Sequence, residues 1–313
     1  MDQLESMRVF VAVAEAHSFA GAARFLKCSP AAVTRAVAAL ESHLGARLLH
    51  RTTRSLRLSE AGERYVADCR RILSQLNEAD AVASGAHVEP QGYLTVTAPV
   101  LFGRIHIAPL MLDFLKAHPR VQAKAFFVDR VVHLIDEGMD VALRIAHLPD
   151  SSLSAVKVGT VRRVVVASPD YLAQHGEPLT PDELGQHDAI GISTSGGPFT
   201  PWQFARPDDP RRELRLAPSP RVQWTVNSSE VGILAARAGH GLARAISYQV
   251  AEHVASGHLR IVLAAYEPAP VPVHLVHPEG RHAAAKVRAF IDFAVARLRA
   301  HPALNELDPS RSP

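Results

Sequence analysis

The residues best placed for chemistry are arginines and short hydroxyls gathered near the start of the chain. In Ser29-Pro30-Ala31-Ala32-Val33-Thr34-Arg35, two polar side chains stand together. A guanidinium such as Arg35 can hold a guanine edge through two parallel hydrogen bonds, and Thr34 can hold a phosphate or a base edge. Ser29, Pro30, Ala31 and Ala38 would share that surface. A contact from Arg35 to backbone phosphate alone stays open, since half or more of such bonds go to the backbone. A second cluster follows at Arg51-Thr52-Thr53-Arg54. Between Arg24 and Leu58 there are seven bases and one acid, Glu41. The whole chain carries only +3, so the remainder is net acidic. A basic segment of this kind is an electrostatic footprint for phosphate.

A different set of polar residues lies further on. Arg144 could hold a carboxylate. Ser193, Thr194 and Ser195 form a small polar loop, and Asn227 and Ser228 precede a helix whose N-terminus favours anions. Thr97, Ala98, Pro99 and Val100 follow a strand, and Phe102 opens the next helix. Each position equally suits a satisfied turn or cap. Catalytic patterns fail in detail. Gly191-Ile-Ser193-Thr-Ser195 ends in serine where a nucleophile elbow needs glycine. Gly239-His-Gly241 lacks the third glycine of a dinucleotide fingerprint. His274, His277 and His282 lack the spacing of a ligand set. The expectation is no catalysis, no metal and no cofactor other than a non-covalent small-molecule effector. Cys28 and Cys69 sit at apolar positions and read as packed, reduced thiols.

These residues need elements to hold them. Leu4, Met7, Phe10, Val11 and Ala14 recur at helical spacing. Ser18 caps a second helix, Phe19 to Leu26. Ser29 caps a third, with Pro30 at its first position, Val33, Val37, Leu40 and Leu44 as its buried stripe, and Gly45 ending it. This is a helix-turn-helix pattern, whose second helix enters the major groove. Leu56 and Leu58 alternate with polar residues, predicting a wing hairpin with Arg51 to Arg54 at its tip. Ser59 then caps a long helix. Along it Tyr65, Cys69, Ile72, Leu76 and Ala79 follow a heptad seam, predicting a dimer-forming linker.

Residues 92–300 alternate apolar strands with helical segments, predicting α/β with a mainly parallel sheet. The strands are Val96-Thr97, Ala125 to Val128, Val141 to Ile145, Val164 to Ala167 and Val271 to Val276. The helices are Ile105 to Ala117, Val131 to Gly138, Ser229 to Ala238, Tyr248 to Ser256 and Ala283 to Leu298. Two lobes with crossings near residues 162 and 266 are expected. The organisation is then 1–59 for DNA binding, 60–90 for the linker helix, 91–300 for the sensor and 301–313 for a tail. The sensor divides into lobe I (91–162 with 266–300) and lobe II (163–265).

The stretch Phe10 to Gly62 resembles the LysR-type transcriptional regulators. The matching residues are Ser18-Phe19-Ala20-Gly21-Ala22-Ala23, Leu26, Ser29 to Arg35, Leu40-Glu41, Leu44-Gly45, Arg47-Leu48-Leu49, Arg51 to Arg54 and Ser59-Glu60-Ala61-Gly62. The family often has Gln-Pro where this chain has Pro30-Ala31, and Ser where it has Thr34. A glutamine base contact therefore does not carry over, whereas Arg35 matches. The resemblance continues through Tyr93 to Pro99, Pro109 to Phe114, His118-Pro119, Asp140 to Ile145, Ala167 to Leu172, Gly239 to Ala243 and Arg288 to Asp292. Gly241 to Val250, with Ser247-Tyr248-Gln249, fits the CrgA-like subgroup.

The resemblance implies a winged helix-turn-helix domain, a linker helix and a two-lobed effector domain of the type 2 periplasmic-binding-protein fold. It implies double-stranded promoter DNA and a small-molecule effector as partners, and a homo-oligomer that is a dimer of dimers. RNA polymerase is a further possible partner. The 47% hydrophobic content supports a core in each domain. No apolar run reaches membrane length and no signal peptide is visible, so a cytoplasmic protein without membrane contact is expected. The rival readings are a solute-binding protein and an enzyme.

Overall fold

Helix α1 (Gln3–Ala16) starts at Asp2, whose carboxylate accepts from the Leu4 N–H, and stops at His17 in the left-handed region. Helices α2 (Phe19–Phe25) and α3 (Pro30–Leu44) are capped by Ser18 and Ser29, each accepting the N–H three residues on. Gly45, at φ +63°, ends α3 and donates back to Glu41 and Ser42. Strands β1 (Leu49–Arg51) and β2 (Leu56–Leu58) form an antiparallel hairpin. Helix α4 (Glu60–Ala83) follows. This computed structural model describes residues 2–51, 56–83, 89–193, 201–207, 214–278 and 283–304. The chain divides into two compact units, 1–89 and 90–313.

The first unit has one core, in which Phe10, Val13, Val33, Val37, Leu40 and Leu48 are nearly fully buried. Leu44, predicted to join that stripe, is exposed. Cys28 is also exposed, because Lys27 takes a left-handed turn and swings the chain outward before α3. Two polar groups fix the wing. Glu41 Oε1 accepts from the backbone N–H of Leu48 (2.8 Å) and of Leu49 (3.1 Å). Ser59 donates to the Arg47 carbonyl and accepts from Gly62 N–H. A Cβ at Gly62 would strike the Leu48 carbonyl oxygen, so only glycine lets α4 start this close to the wing.

The second unit runs β3 (Gly92–Ala98), α5 (Val100–Phe102), a π turn over Gly103–Ile107, α6 (Ala108–Ala117), β4 (Val121–Phe127), β5 (Val141–Ile145) and β6 (Ser154–Val161). It then crosses to β7 (Arg163–Ala167), α7 (Pro169–His175), β8 (Asp188–Ile192), the short β9 (Gln203–Phe204) and β10 (Arg215–Leu216), and β11 (Arg221–Val226). Helix α8 (Ser229–Arg237), β12 (Leu242–Ile246), α9 (Ser247–Ala255) and β13 (Arg260–Val262) complete that lobe. The chain returns as β14 (Val271–His277) and α10 (Ala285–Arg299).

Two five-stranded sheets result, ordered β4-β3-β5-β14-β6 and β11-β8-β12-β7-β13. Neither is mainly parallel, contrary to expectation. In each, three neighbouring strands (β4, β3 and β5; β11, β8 and β12) run parallel, while the strands nearest the crossovers pair antiparallel. A strand that has just crossed between lobes enters its new sheet reversed. The crossings fall at Arg162 and between Leu263 and Pro270, near the predicted places. There Arg162 Nη1 lies 3.2 Å from both carboxylate oxygens of Glu267, and the pair is largely buried. Ser247 clasps the same point, donating its N–H to Arg162 O and accepting from Arg162 N–H.

Val131 to Gly138, expected as a helix, makes only a turn. Val131 and Ile135 are exposed, while Leu134 and the adjoining Met139 join the small cluster around Ala142 and Val276. The Glu137 carboxylate takes the His133 N–H and the Arg130 guanidinium, competing with helix propagation.

Candidate nucleic-acid interface and effector domain

On the first unit, Pro30, Ala31, Arg35 and Ala38 are exposed together along α3, with Thr34 half-buried beside them. The Thr34 hydroxyl donates to the Pro30 carbonyl at 3.0 Å, and Ser29 Oγ accepts from Ala32 N–H at 3.2 Å. Both hydroxyls therefore serve the helix first. Arg35 has no hydrogen-bond or ion-pair partner among the described residues, and its five N–H donors face solvent unclaimed. The wing adds His50 and Arg57, cross-strand partners that are both exposed. Arg57 is one of the seven bases of the basic segment, and the alternation of this pair with Leu49, Leu56 and Leu58 marks the outward face. Thr52, Thr53, Arg54 and the Arg51 side chain lie outside the described residues.

The predicted dimer seam on α4 divides. Tyr65 packs against Phe10 with ring centroids 6.0 Å apart, and Cys69 is wholly buried in the same core. Ile72 packs against that core too. Burial pushes the Cys69 thiol up to about 11, so it is a protonated packing group. Within the unit, Cys69 is wholly internal, while Tyr65 and Ile72 pack against the core shared with α1 and stay half-buried. Leu76 is half-buried, and the Ala79 side chain lies outside the described residues.

In the second unit, the carboxyl ends of β3, β5, β8 and β11 carry the predicted effector residues, where open α/β sheets receive ligands. Three of those residues are buried. Thr97 is buried, and its hydroxyl donates to Phe126 O at 2.8 Å, tying β3 to β4. Ala98 is buried in the core. Phe102 is fully buried, edge-on to Tyr248 at 5.1 Å, because the turn at Pro99 aims it inward. Pro99 is half-buried and Val100 exposed, and the Val100 N–H donates to the Asp129 carboxylate at 2.9 Å. Arg144 is half-buried and donates to Val132 O at 2.8 Å. Ser193 keeps its N–H on Val226 O, Asn227 is exposed, and Ser228 caps α8. Thr194 and Ser195 lie outside the described residues.

Charged neighbours that the sequence reading missed stand around these strand ends. Arg130 pairs with Glu137, whose carboxyl it holds down to about 2. Arg104 of lobe I reaches Glu230 of lobe II at 3.0 Å. Glu230 lies in the first turn of α8, so a carboxylate of the chain itself already stands where an anion was expected. His106 is buried beside Tyr248 and His301, and burial, then the His301 charge, lower its pKa to about 4.

A basic helix-turn-helix unit followed by a two-lobed α/β unit defines a DNA-binding regulator with a ligand-binding domain. Residues 4–63 match the family described as bacterial regulatory helix-turn-helix protein, lysR family, and residues 87–299 match the LysR substrate binding domain. A transcriptional regulator of Xanthomonas campestris pv. campestris is 37% identical over 302 residues, covering 94% of this chain and 85% of the relative. The regulator CrgA of Neisseria meningitidis serogroup C is 33% identical over 295 residues, covering 94% and 96%. The solved structure of CrgA, a LysR-type transcriptional regulator from Neisseria meningitidis, superposes with TM-score 0.58 at 32% identity, covering 94% of this chain and 98% of that one. The chain belongs to the LysR family of transcriptional regulators, with an N-terminal DNA-binding domain and a C-terminal effector-binding domain. No helix among the described residues is long and apolar enough to cross a membrane.

Proposed function

We propose that the protein represses or activates its target promoter as a homo-oligomer, a dimer of dimers, whose DNA grip is set by a small organic anion between the lobes of the effector domain. The observation that carries the DNA half is Arg35. It projects, exposed and unpartnered, from the first turns of a capped helix, the part of a recognition helix that meets base edges. Two copies would place two such helices on an interrupted palindrome, with half-buried Leu76 of α4 a candidate for the pairing. The anion preference rests on Arg144 and on exposed Asn227 near the strand ends. Ligand would shift the balance between open and closed lobes, and so between quaternary states, without chemical conversion. Promoter-bound protein would then meet RNA polymerase.

Gel-shift binding to the DNA just upstream of the protein's own gene, with random DNA as competitor, tests this. A discrete, competitor-resistant shift is expected. Binding that random DNA removes in proportion to its mass would contradict sequence-specific recognition.

A further inference from the structure

We infer that Glu41 is a positioning residue for DNA binding: it fixes the basic wing against the recognition helix, so that the cations of both elements meet the duplex in one register. An acid stands out in this segment, which holds seven bases and no other acid between Arg24 and Leu58. On charge alone it repels phosphate and weakens the grip on DNA. Its geometry gives it a different task.

Glu41 lies six residues after Arg35 on α3. Six helical steps are about 9 Å along the axis and about 120° around it, so the two side chains leave the helix on different faces. Arg35 is exposed, whereas Glu41 is half-buried and turned to the root of the wing. There Glu41 Oε1 accepts from Leu48 N–H at 2.8 Å and from Leu49 N–H at 3.1 Å. Both leucines are buried, so water is no ready substitute for that oxygen.

Helix α4 holds the same root from the other side. Ser59 donates its N–H to Leu48 O at 2.9 Å and its hydroxyl to Arg47 O at 2.6 Å, and Gly62 packs on Leu48 O with no room for a Cβ. Residues 47–49 are thus pinned between α3 and α4, and β1 starts inside that clamp. Arg47, His50 and Arg57 are exposed on the wing, and His50 and Arg57 are cross-strand partners. Through Glu41, α3 is hydrogen-bonded to the strand from which these cations are presented. Phosphate contacts set a protein's register on the duplex. With helix and wing at a fixed spacing, those contacts form together. With the spacing loose, the wing must be ordered at the moment of binding, and affinity falls.

Charge and position predict opposite signs for loss of the carboxylate. The test measures binding of the full chain to a labelled random-sequence duplex across a salt series, with the active fraction fixed by stoichiometric titration. The inference takes α3 as the recognition helix, and random duplex is used because phosphate grips it whether or not the proposed promoter is the target. If Glu41 acts only as a charge, Glu41→Ala and Glu41→Gln should tighten binding equally. The positioning role predicts that Glu41→Ala weakens it about fivefold or more, the order of one lost phosphate contact, with a shallower salt slope. Glu41→Gln keeps an acceptor in place and should fall between Glu41→Ala and the natural chain. Unfolded molecules would lower the active fraction and leave the slope unchanged, so the slope separates position from folding. Arg57→Gln should weaken binding several-fold in the natural chain and much less in Glu41→Ala, where the wing has already lost its place. Binding by Glu41→Ala as tight as the natural chain or tighter, an unaltered salt slope, or full additivity with Arg57→Gln would each overturn the inference.

Discussion

Glu41 is the one acid in the basic segment, and its position gives a graded prediction. A single oxygen, Oε1, accepts both the Leu48 and the Leu49 N–H, joining the end of α3 to the first wing strand. Hydrogen bonds to a charged group contribute about 1.5–3 kcal/mol each, and partial burial favours the lower end of that range. Glu41→Ala should therefore weaken the α3–wing junction by about 2–4 kcal/mol. Glu41→Gln presents a neutral carbonyl oxygen in the same place, so its loss should be roughly half as large, about 1–2 kcal/mol. Amide hydrogen exchange at Leu48 and Leu49 reads this directly. Since 1.4 kcal/mol is a factor of ten, exchange in Glu41→Ala should quicken by about 30-fold or more, with Glu41→Gln in between. Equal exchange in the natural chain and Glu41→Ala, or no difference between the two variants, would refute the reasoning.

Two further expectations concern the effector domain. Glu267→Gln removes the charge facing largely buried Arg162 at the lobe crossover, and because the amide still accepts one bond, the loss should be about 2–3 kcal/mol, read by thermal unfolding. A Glu267→Gln variant that melts like the natural chain would show that the pair does not hold the crossover. For His106, the folded pKa of about 4 lies below the ordinary 6.5, so the unfolded chain binds more protons between those values. Stability should be undiminished above about pH 6.5, fall as pH drops towards 4, and lose up to roughly 3 kcal/mol in that window. His106→Phe should abolish that part of the pH dependence. An unchanged slope in the variant would assign the loss to other groups.

The elements that were legible in the sequence carried their own punctuation. Ser18, Ser29 and Gly45 cap helices as their types suggest, and Leu56-Arg57-Leu58 alternates as a wing strand should. The heptad on α4 was real but ambiguous, because one apolar stripe serves a partner or an adjacent helix equally well, and α1 claims Tyr65, Cys69 and Ile72. Strand β6 escaped notice because a register shift interrupts its alternation, between the pairs Val273–Gly159 and His274–Lys157. The effector residues were hardest. Chain position placed Thr97, Ala98 and Phe102 beside a strand end, but only the turn at Pro99 decides which of them face inward. Arg104–Glu230 and Arg162–Glu267 join residues more than one hundred positions apart, which no local pattern reveals.

The most direct test of the regulator reading is the ratio of specific to random DNA affinity, measured for the natural chain and for Arg35→Ala across a salt series. If Arg35 reads a base, its loss should cost about 1–3 kcal/mol on the specific fragment and little on random DNA, collapsing the ratio. Equal weakening on both fragments, with a shallower salt dependence, would reduce Arg35 to a phosphate contact and contradict its role as the sequence-reading residue.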